Sequence, residues 1–62
     1  MPNIDQLIAY ESGDLSQEDT ITFFQEGIDH GWVWVLQGHY GRMASHLITE
    51  GFCTPRAEVA HG

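Results

Sequence analysis

The stretch at residues 38–51, GHYGRMASHLITEG, carries the clearest structural pattern in the chain. Its apolar side chains recur at spacings of three and four residues: Tyr40, Met43, Ala44, Leu47 and Ile48. That spacing places them on one face of an α-helix and the polar side chains on the other face. Gly51 follows and can adopt the left-handed conformation that ends many helices. The stretch therefore predicts an amphipathic helix whose apolar face must be covered by other elements.

Two earlier patterns predict the helices that cover it. Asn3 is a favourable N-cap for a first helix that runs to Tyr10 and is broken by the turn at residues 12–14. Three residues of that helix share one face: Ile4, Leu7 and Ile8. Ser16 opens a second helix with an approximate capping box, SQED, and Gly31 ends it after His30. The apolar repeat of the second helix is formed by Ile21, Phe24 and Ile28.

The connector at residues 31–36, GWVWVL, fits two conformations. Its aromatic and β-branched residues favour a strand, but a lone strand would have no partner for its backbone hydrogen bonds. We therefore expect a short buried helical turn or the beginning of the third helix. The following Gly38 and Gly41 predict a helix entry poor in side chains, which another backbone can approach closely.

These patterns predict an all-α fold, a small three-helix domain with a short Trp-rich connector. The predicted domain spans residues 1–53. Residues 54–62 contain Pro55 and show no helical periodicity, so we expect a flexible C-terminal tail there.

Composition narrows the range of functions. The 62 residues contain 2 Lys plus Arg against 9 Asp plus Glu, a formal charge of -7. Two basic residues cannot neutralise a run of phosphates, so we expect no nucleic-acid binding. No apolar run approaches the ~18 residues of a membrane span, and the N-terminus MPNIDQ has no features of a signal peptide, so we expect neither membrane association nor secretion. The single cysteine, Cys53, cannot form a disulfide within one chain and fits a reducing compartment.

The size of the chain predicts self-association. A domain of this length buries only ~60% of the surface of its unfolded chain and is marginally stable alone. Trp32 and Trp34 flank Val33 in a stretch without polar residues, and so small a core can hardly enclose both indoles. One buried and one half-exposed indole, or an aromatic contact at a subunit or partner interface, are equally good interpretations. We expect a homodimer.

Several polar residues could suggest a reactive site. His39, Arg42 and His46 recur at helical spacing on the polar side of the third helix, followed by Glu50. Zinc-binding histidines on a helix are four residues apart, whereas these two are seven apart. A solvated helix face is the better interpretation, and Cys53 is better read as a small apolar residue than as a nucleophile. We therefore predict no enzymatic activity, no catalytic or metal-binding residues and no cofactor.

Charge is distributed unevenly. Seven acidic residues precede residue 30, and no Lys or Arg does. Such a flank keeps a protein soluble, and it can also steer the protein toward a basic surface of a partner.

The segment at residues 23–53, FFQEGIDHGWVWVLQGHYGRMASHLITEGFC, resembles a group of small proteins encoded by bacteriophages and prophages. The shared pattern is FQxxIDxGxxWxLQGxYGRxAxxLIxxG, and the resemblance covers residues 4–53. Its most specific part comprises Trp34, the Leu36-Gln37-Gly38 run and the Tyr40-Gly41-Arg42 run. The resemblance implies a phage-encoded protein that acts in the cytoplasm of a bacterial host, and small accessory proteins of this kind often bind a host protein.

The sequence thus favours a non-enzymatic phage accessory protein that binds and modulates or inhibits a bacterial host protein. The residues predicted to contact the partner are Trp32, Trp34, His39, Tyr40 and Arg42. Two alternatives remain open. One is a helix-turn-helix-like DNA-binding regulator that reads DNA with the third helix, although the charge opposes it. The other is a structural or assembly component of a virion.

Overall fold

A computed structural model describes residues 2–55 of the chain. Helix α1 spans Ile4–Glu11, α2 spans Gln17–His30, and α3 spans Gly38–Thr49. A single 3-10 turn, Trp32–Trp34, joins α2 to α3, and none of the described residues is in a β-strand. The prediction of an all-α, three-helix fold is confirmed. No helix within the described range is long and apolar enough to cross a membrane.

Local capping determines where the helices begin and end. The side chain of Asn3 accepts hydrogen bonds from the backbone N–H groups of Asp5 and Gln6, at 2.9 and 3.2 Å. The Ser16 hydroxyl accepts one from the N–H of Asp19 at 3.1 Å. Gly31 ends α2 in the left-handed region, at φ +83°. These caps satisfy N–H and C=O groups that would otherwise have no partner within a helix, and they confirm the predicted boundaries.

The core lies between α2 and α3, with the 3-10 turn packed against both helices. Its buried side chains come from all three elements and from the segment after α3: Phe23, Phe24, Ile28, Trp32, Val33, Tyr40, Ala44, Leu47 and Cys53. Phe23 is buried although it lies outside the repeat predicted for α2. Its ring is 5.6 Å from that of Tyr10 and 4.9 Å from that of Trp32, so α1 and the connector cover it together.

Helix α1 joins this core largely through Tyr10, whose ring also meets Phe24 edge-on at 5.1 Å. Leu7 is half-buried against the core. Ile4 and Ile8 share a face of α1 as predicted, but both side chains are largely exposed. The apolar face of α1 therefore meets the core only at its edge, because the contact runs through Leu7 and Tyr10.

The connector forms the short helical turn that was one of its two expected conformations. The N–H groups of Trp34 and Val35 bond to the carbonyl groups of Gly31 and Trp32, both at 3.2 Å. Trp32 is 5% exposed, whereas Trp34 is 51% and Val35 76% exposed. The interpretation of one buried and one half-exposed indole is confirmed.

The chain folds back after α3. The carbonyl of Leu47 accepts the N–H groups of Phe52 and Cys53 at 2.9 and 3.1 Å, and Cys53 is buried. The Gln25 side chain then bonds to both backbone groups of Thr54, at 2.8 and 3.0 Å. Ordered contacts therefore extend one residue past the boundary predicted at residue 53. The rest of the predicted tail, residues 56–62, lies outside the described residues.

Candidate interaction surface

The five residues predicted to contact a partner do not lie together on the surface. Trp34, His39 and Arg42 are exposed, whereas Trp32 and Tyr40 belong to the core. A partner that docks onto the folded domain cannot reach the rings of Trp32 and Tyr40 without opening the core. The assignment of these two residues to the contact set therefore conflicts with their burial, which is explained by their packing against α2.

Trp34 is held from one side and open to solvent on the other. A Cβ atom placed on Gly41 would lie 3.6 Å from Cε3 of the indole and 3.7 Å from the carbonyl oxygen of Val33. The connector thus approaches α3 closely at this glycine, as the glycine spacing predicted. Val35 follows Trp34 and is the more exposed of the two. The two side chains form an apolar patch on a connector that Trp32 and Val33 anchor in the core.

Arg42 lies over the beginning of α3. Its Nη1 atom is 3.0 Å from the position of a Cβ on Gly38, the first residue of the helix. The N-cap residue Gln37 makes no side-chain capping bond, and the first turn of α3 contains no acidic residue. The guanidinium therefore adds positive charge to a helix end whose dipole is already positive. We call the adjacent exposed side chains Trp34 and Val35 the Trp34 surface.

His39 is bound to α1. Its Nε2 atom and the hydroxyl oxygen of Tyr10 share a hydrogen bond of 2.6 Å, and the two rings stack at 5.9 Å. One residue further along each helix, the Tyr40 hydroxyl donates to Oε2 of Glu11 at 2.5 Å. These two bonds fasten the C-terminal end of α1 to the first turn of α3. His39 is thus exposed but has a structural partner.

The pKa values of both tyrosines are raised. Burial is the main cause for each, and the carboxylate of Glu11 adds to it through its charge and, for Tyr40, through its hydrogen bond. Both hydroxyls therefore stay protonated at neutral pH. The two tyrosine hydroxyls thus join α1 to α3 through hydrogen bonds, Tyr10 with His39 and Tyr40 with the carboxylate of Glu11.

The polar ridge of α3 is a solvent-facing surface, as expected. Within residues 2–55 no three His, Cys, Asp or Glu side chains are grouped in a way that could hold a metal ion. Cys53 is enclosed, and its thiol lies 3.6 Å from the carbonyl oxygen of Ile21. Burial, with a smaller contribution from the charge of Asp29, raises the pKa of this thiol. Because the thiolate is the reactive form, the structure agrees with the interpretation of Cys53 as an apolar core residue.

We therefore expect Cys53 in the folded protein to react slowly with a thiol reagent. At pH 8 its labelling rate should be at least about tenfold below that of the same chain in denaturant, since the thiol is both enclosed and protonated. The measurement follows the absorbance of the aromatic thiolate that a disulfide reagent releases when it reacts with Cys53, with and without urea. Equal rates in the two conditions would show that the segment after α3 is not packed onto the core.

A groove lies elsewhere on the molecule, between the beginning of α2 and the end of α3. Its volume is about 340 Å³. The residues that line it are mostly apolar or neutral: Gln17, Thr20, Ile21, Met43, His46, Leu47 and Phe52. No sequence pattern indicates this groove. Met43 belongs to the apolar stripe of α3, and only the tertiary packing leaves that stripe partly open here.

The comparison with protein families covers nearly the whole chain. Residues 2–62 match the family described as "Domain of unknown function (DUF7417)". The chain belongs to this family. No curated protein and no solved structure matches it. The description of the DUF7417 family assigns no activity, so the functional argument rests on the geometry of the molecule.

In this member of the DUF7417 family, the exposed apolar side chains are the feature that the sequence predicts least well. Among residues 2–55 the large ones, apart from Trp34, are Ile4, Ile8, Val35 and Phe52. A helical spacing marks Ile4 and Ile8 as sharing a face, but no sequence signal shows that this face points away from the core. That orientation depends on contacts between residues far apart in the chain.

Proposed function

We propose that this chain is a non-enzymatic accessory protein that binds and modulates or inhibits a bacterial host protein through the Trp34 surface. The observation that supports the proposal is the exposure of two adjacent apolar side chains, Trp34 and Val35, on a connector anchored in the core. Tryptophan is among the residues most enriched at the energetic centres of protein interfaces.

The anchoring of the connector favours binding. Trp32 and Val33, the two residues before Trp34, are both buried and lie against Gly27 of α2, and the indole of Trp34 lies against Gly41 of α3. An aromatic side chain that is already held in place loses little conformational freedom when a partner covers it. The Trp34 surface therefore has the properties of a preformed contact.

The charge of the chain indicates what the partner offers. All seven acidic residues before residue 30 are exposed on α1, α2 and their connection. This flank attracts a basic surface and repels a polyanion, and such steering raises the rate of association. We infer a partner that offers an apolar pocket to Trp34 and a basic region to the acidic residues of α1 and α2.

The resemblance to phage-encoded proteins supports the proposed place of action and the proposed class of partner. It favours the cytoplasm of a bacterial host as the place of action and a host protein as the partner. A structural or assembly component of a virion would use the same exposed patch to bind other virion proteins. Co-purification with host proteins rather than with virion proteins distinguishes the accessory protein from the virion component.

The test is capture of host proteins from bacterial lysate by the wild-type chain and by a Trp34→Ala variant. We expect a specific partner whose dissociation constant rises at least about 30-fold in the variant, the equivalent of ~2 kcal/mol for an interface hot spot. Thr22→Ala is the control, because Thr22 is exposed on α2 and is not part of the Trp34 surface, so its loss should leave this affinity unchanged.

Two outcomes would contradict the proposal. One is a partner that binds wild type and Trp34→Ala equally well. The other is sub-micromolar binding of a labelled DNA duplex at ~150 mM salt, measured by fluorescence anisotropy, which would favour the helix-turn-helix alternative.

A further inference from the structure

Two apolar features remain uncovered and do not belong to the Trp34 surface. The first, the α1 ridge, consists of Ile4 and Ile8, which are 62% and 57% exposed. The second, the α2–α3 groove, is the cavity lined chiefly by Ile21, Met43 and Phe52. Half of the Phe52 side chain is open to solvent at this groove. One chain thus carries both an apolar ridge and an apolar recess.

We propose that the α1 ridge of one copy of this chain docks into the α2–α3 groove of a second copy, and that the second copy returns the same contact. Residues four apart on a helix project side by side, with Cβ atoms about 5–6 Å apart. Two such side chains are the usual anchors by which a helix enters an apolar groove. A cavity of about 340 Å³ is large enough to receive apolar side chains of this kind.

Polar residues beside the ridge and at the groove favour one direction of the contact. Asp5 follows Ile4 on α1, and His46 is the one ionisable residue in the lining of the groove. The acidic pair Glu18 and Asp19 follows Gln17 at the opposite margin, in the first turn of α2. An incoming α1 is therefore favoured with Asp5 toward His46 and away from the acidic pair.

The area required favours a reciprocal contact. A standard interface buries about 800 Å² of each partner, nearly a fifth of the 4427 Å² that this chain exposes. One ridge of two isoleucines covers only a small part of that area. In a two-fold pairing each protomer contributes both its ridge and its groove, so the interface contains two ridge–groove contacts.

The first test measures oligomeric state by native mass spectrometry and sedimentation equilibrium. At about 100 µM, well above the micromolar dissociation constants of weak complexes, we expect wild type at twice the 7.0 kDa mass of the chain. Ile8→Glu should weaken the dimer at least tenfold and keep a cooperative melt, because Ile8 is exposed. Val35→Glu, which alters the connector instead, should leave the dimer intact.

A second test pairs two defective variants. Ile8→Glu breaks the ridge and keeps the groove, whereas Phe52→Glu breaks the groove and keeps the ridge. Each variant should associate at least tenfold more weakly than wild type, and an equimolar mixture should associate more strongly than either variant alone but less strongly than wild type, because it retains one intact ridge–groove contact of the two.

Several results would overturn the proposal: a wild-type monomer at this concentration, an Ile8→Glu dimer as strong as wild type, loss of the dimer in Val35→Glu, growth into open chains, or a mixture that associates no better than its components.

Discussion

We expect the Phe24→Ala variant to lose a large part of its free energy of unfolding, about 3–5 kcal/mol at 25 °C. Phe24 is 0% exposed, and its ring lies 5.1 Å from Tyr10, 5.4 Å from Phe23 and 6.1 Å from Tyr40. Replacing a buried phenylalanine by alanine costs about 3–5 kcal/mol. A domain of this length has a total free energy of unfolding on the order of 3–9 kcal/mol. The loss therefore removes at least about a third of the stability of the domain and, at the lower end of that range, all of it.

Urea denaturation followed by circular dichroism measures this loss. Phe52→Ala is the matched control, since the Phe52 side chain is 49% exposed and should cost about 1 kcal/mol or less. Both variants are best compared in a chain that also carries Ile8→Glu. That change weakens the proposed contact between the α1 ridge and the groove at Phe52, so the free energies of unfolding then refer to the single domain. Equal losses for the two variants would show that Phe24 is not the centre of the core.

The helix boundaries were predictable because they depend on neighbours in the sequence. Asn3 and Ser16 cap their helices through side chains that reach backbone groups two and three residues away. Gly31 and Gly51 adopt positive φ where each helix ends. Such signals need no knowledge of the tertiary structure, and they fixed three helices at nearly the observed bounds.

The candidate surface was predictable only in part, because exposure depends on distant contacts. Nothing in WVW shows which indole turns inward, and Trp32 does so because Phe23 of α2 receives it. Tyr40 is a different case. Its place in the apolar stripe of α3 already indicated burial, whereas its place in the Tyr40-Gly41-Arg42 run carried no information on exposure. The link between His39 and Tyr10 joins residues 29 positions apart, which no local pattern reveals.

Gly27 is the position where the core leaves least room, and we expect Gly27→Ala to destabilise the domain. A Cβ on Gly27 would lie 2.3 Å from Cγ1 of Val33 and 2.9 Å from Cη2 of Trp32. Alanine normally stabilises a helix interior by up to about 1 kcal/mol relative to glycine. Overpacking a core costs about 1–3 kcal/mol, and Val33 is fully buried and cannot move aside. The cost of overpacking the core should therefore exceed the gain in helix propensity, and the free energy of unfolding should fall.

Gly41→Ala should instead raise the free energy of unfolding, so the two glycine substitutions should change stability in opposite directions. Both glycines are interior to helices, but a Cβ on Gly41 would meet Trp34 and the Val33 carbonyl at 3.6 and 3.7 Å, ordinary contact distances. The helix gain of up to about 1 kcal/mol then remains. In a domain of this size each kcal/mol shifts Tm by about 4–8 °C, so calorimetry resolves both changes. A higher Tm for Gly27→Ala would mean that the connector does not pack against α2 at this glycine, because only that packing turns a favourable helix substitution into a destabilising one.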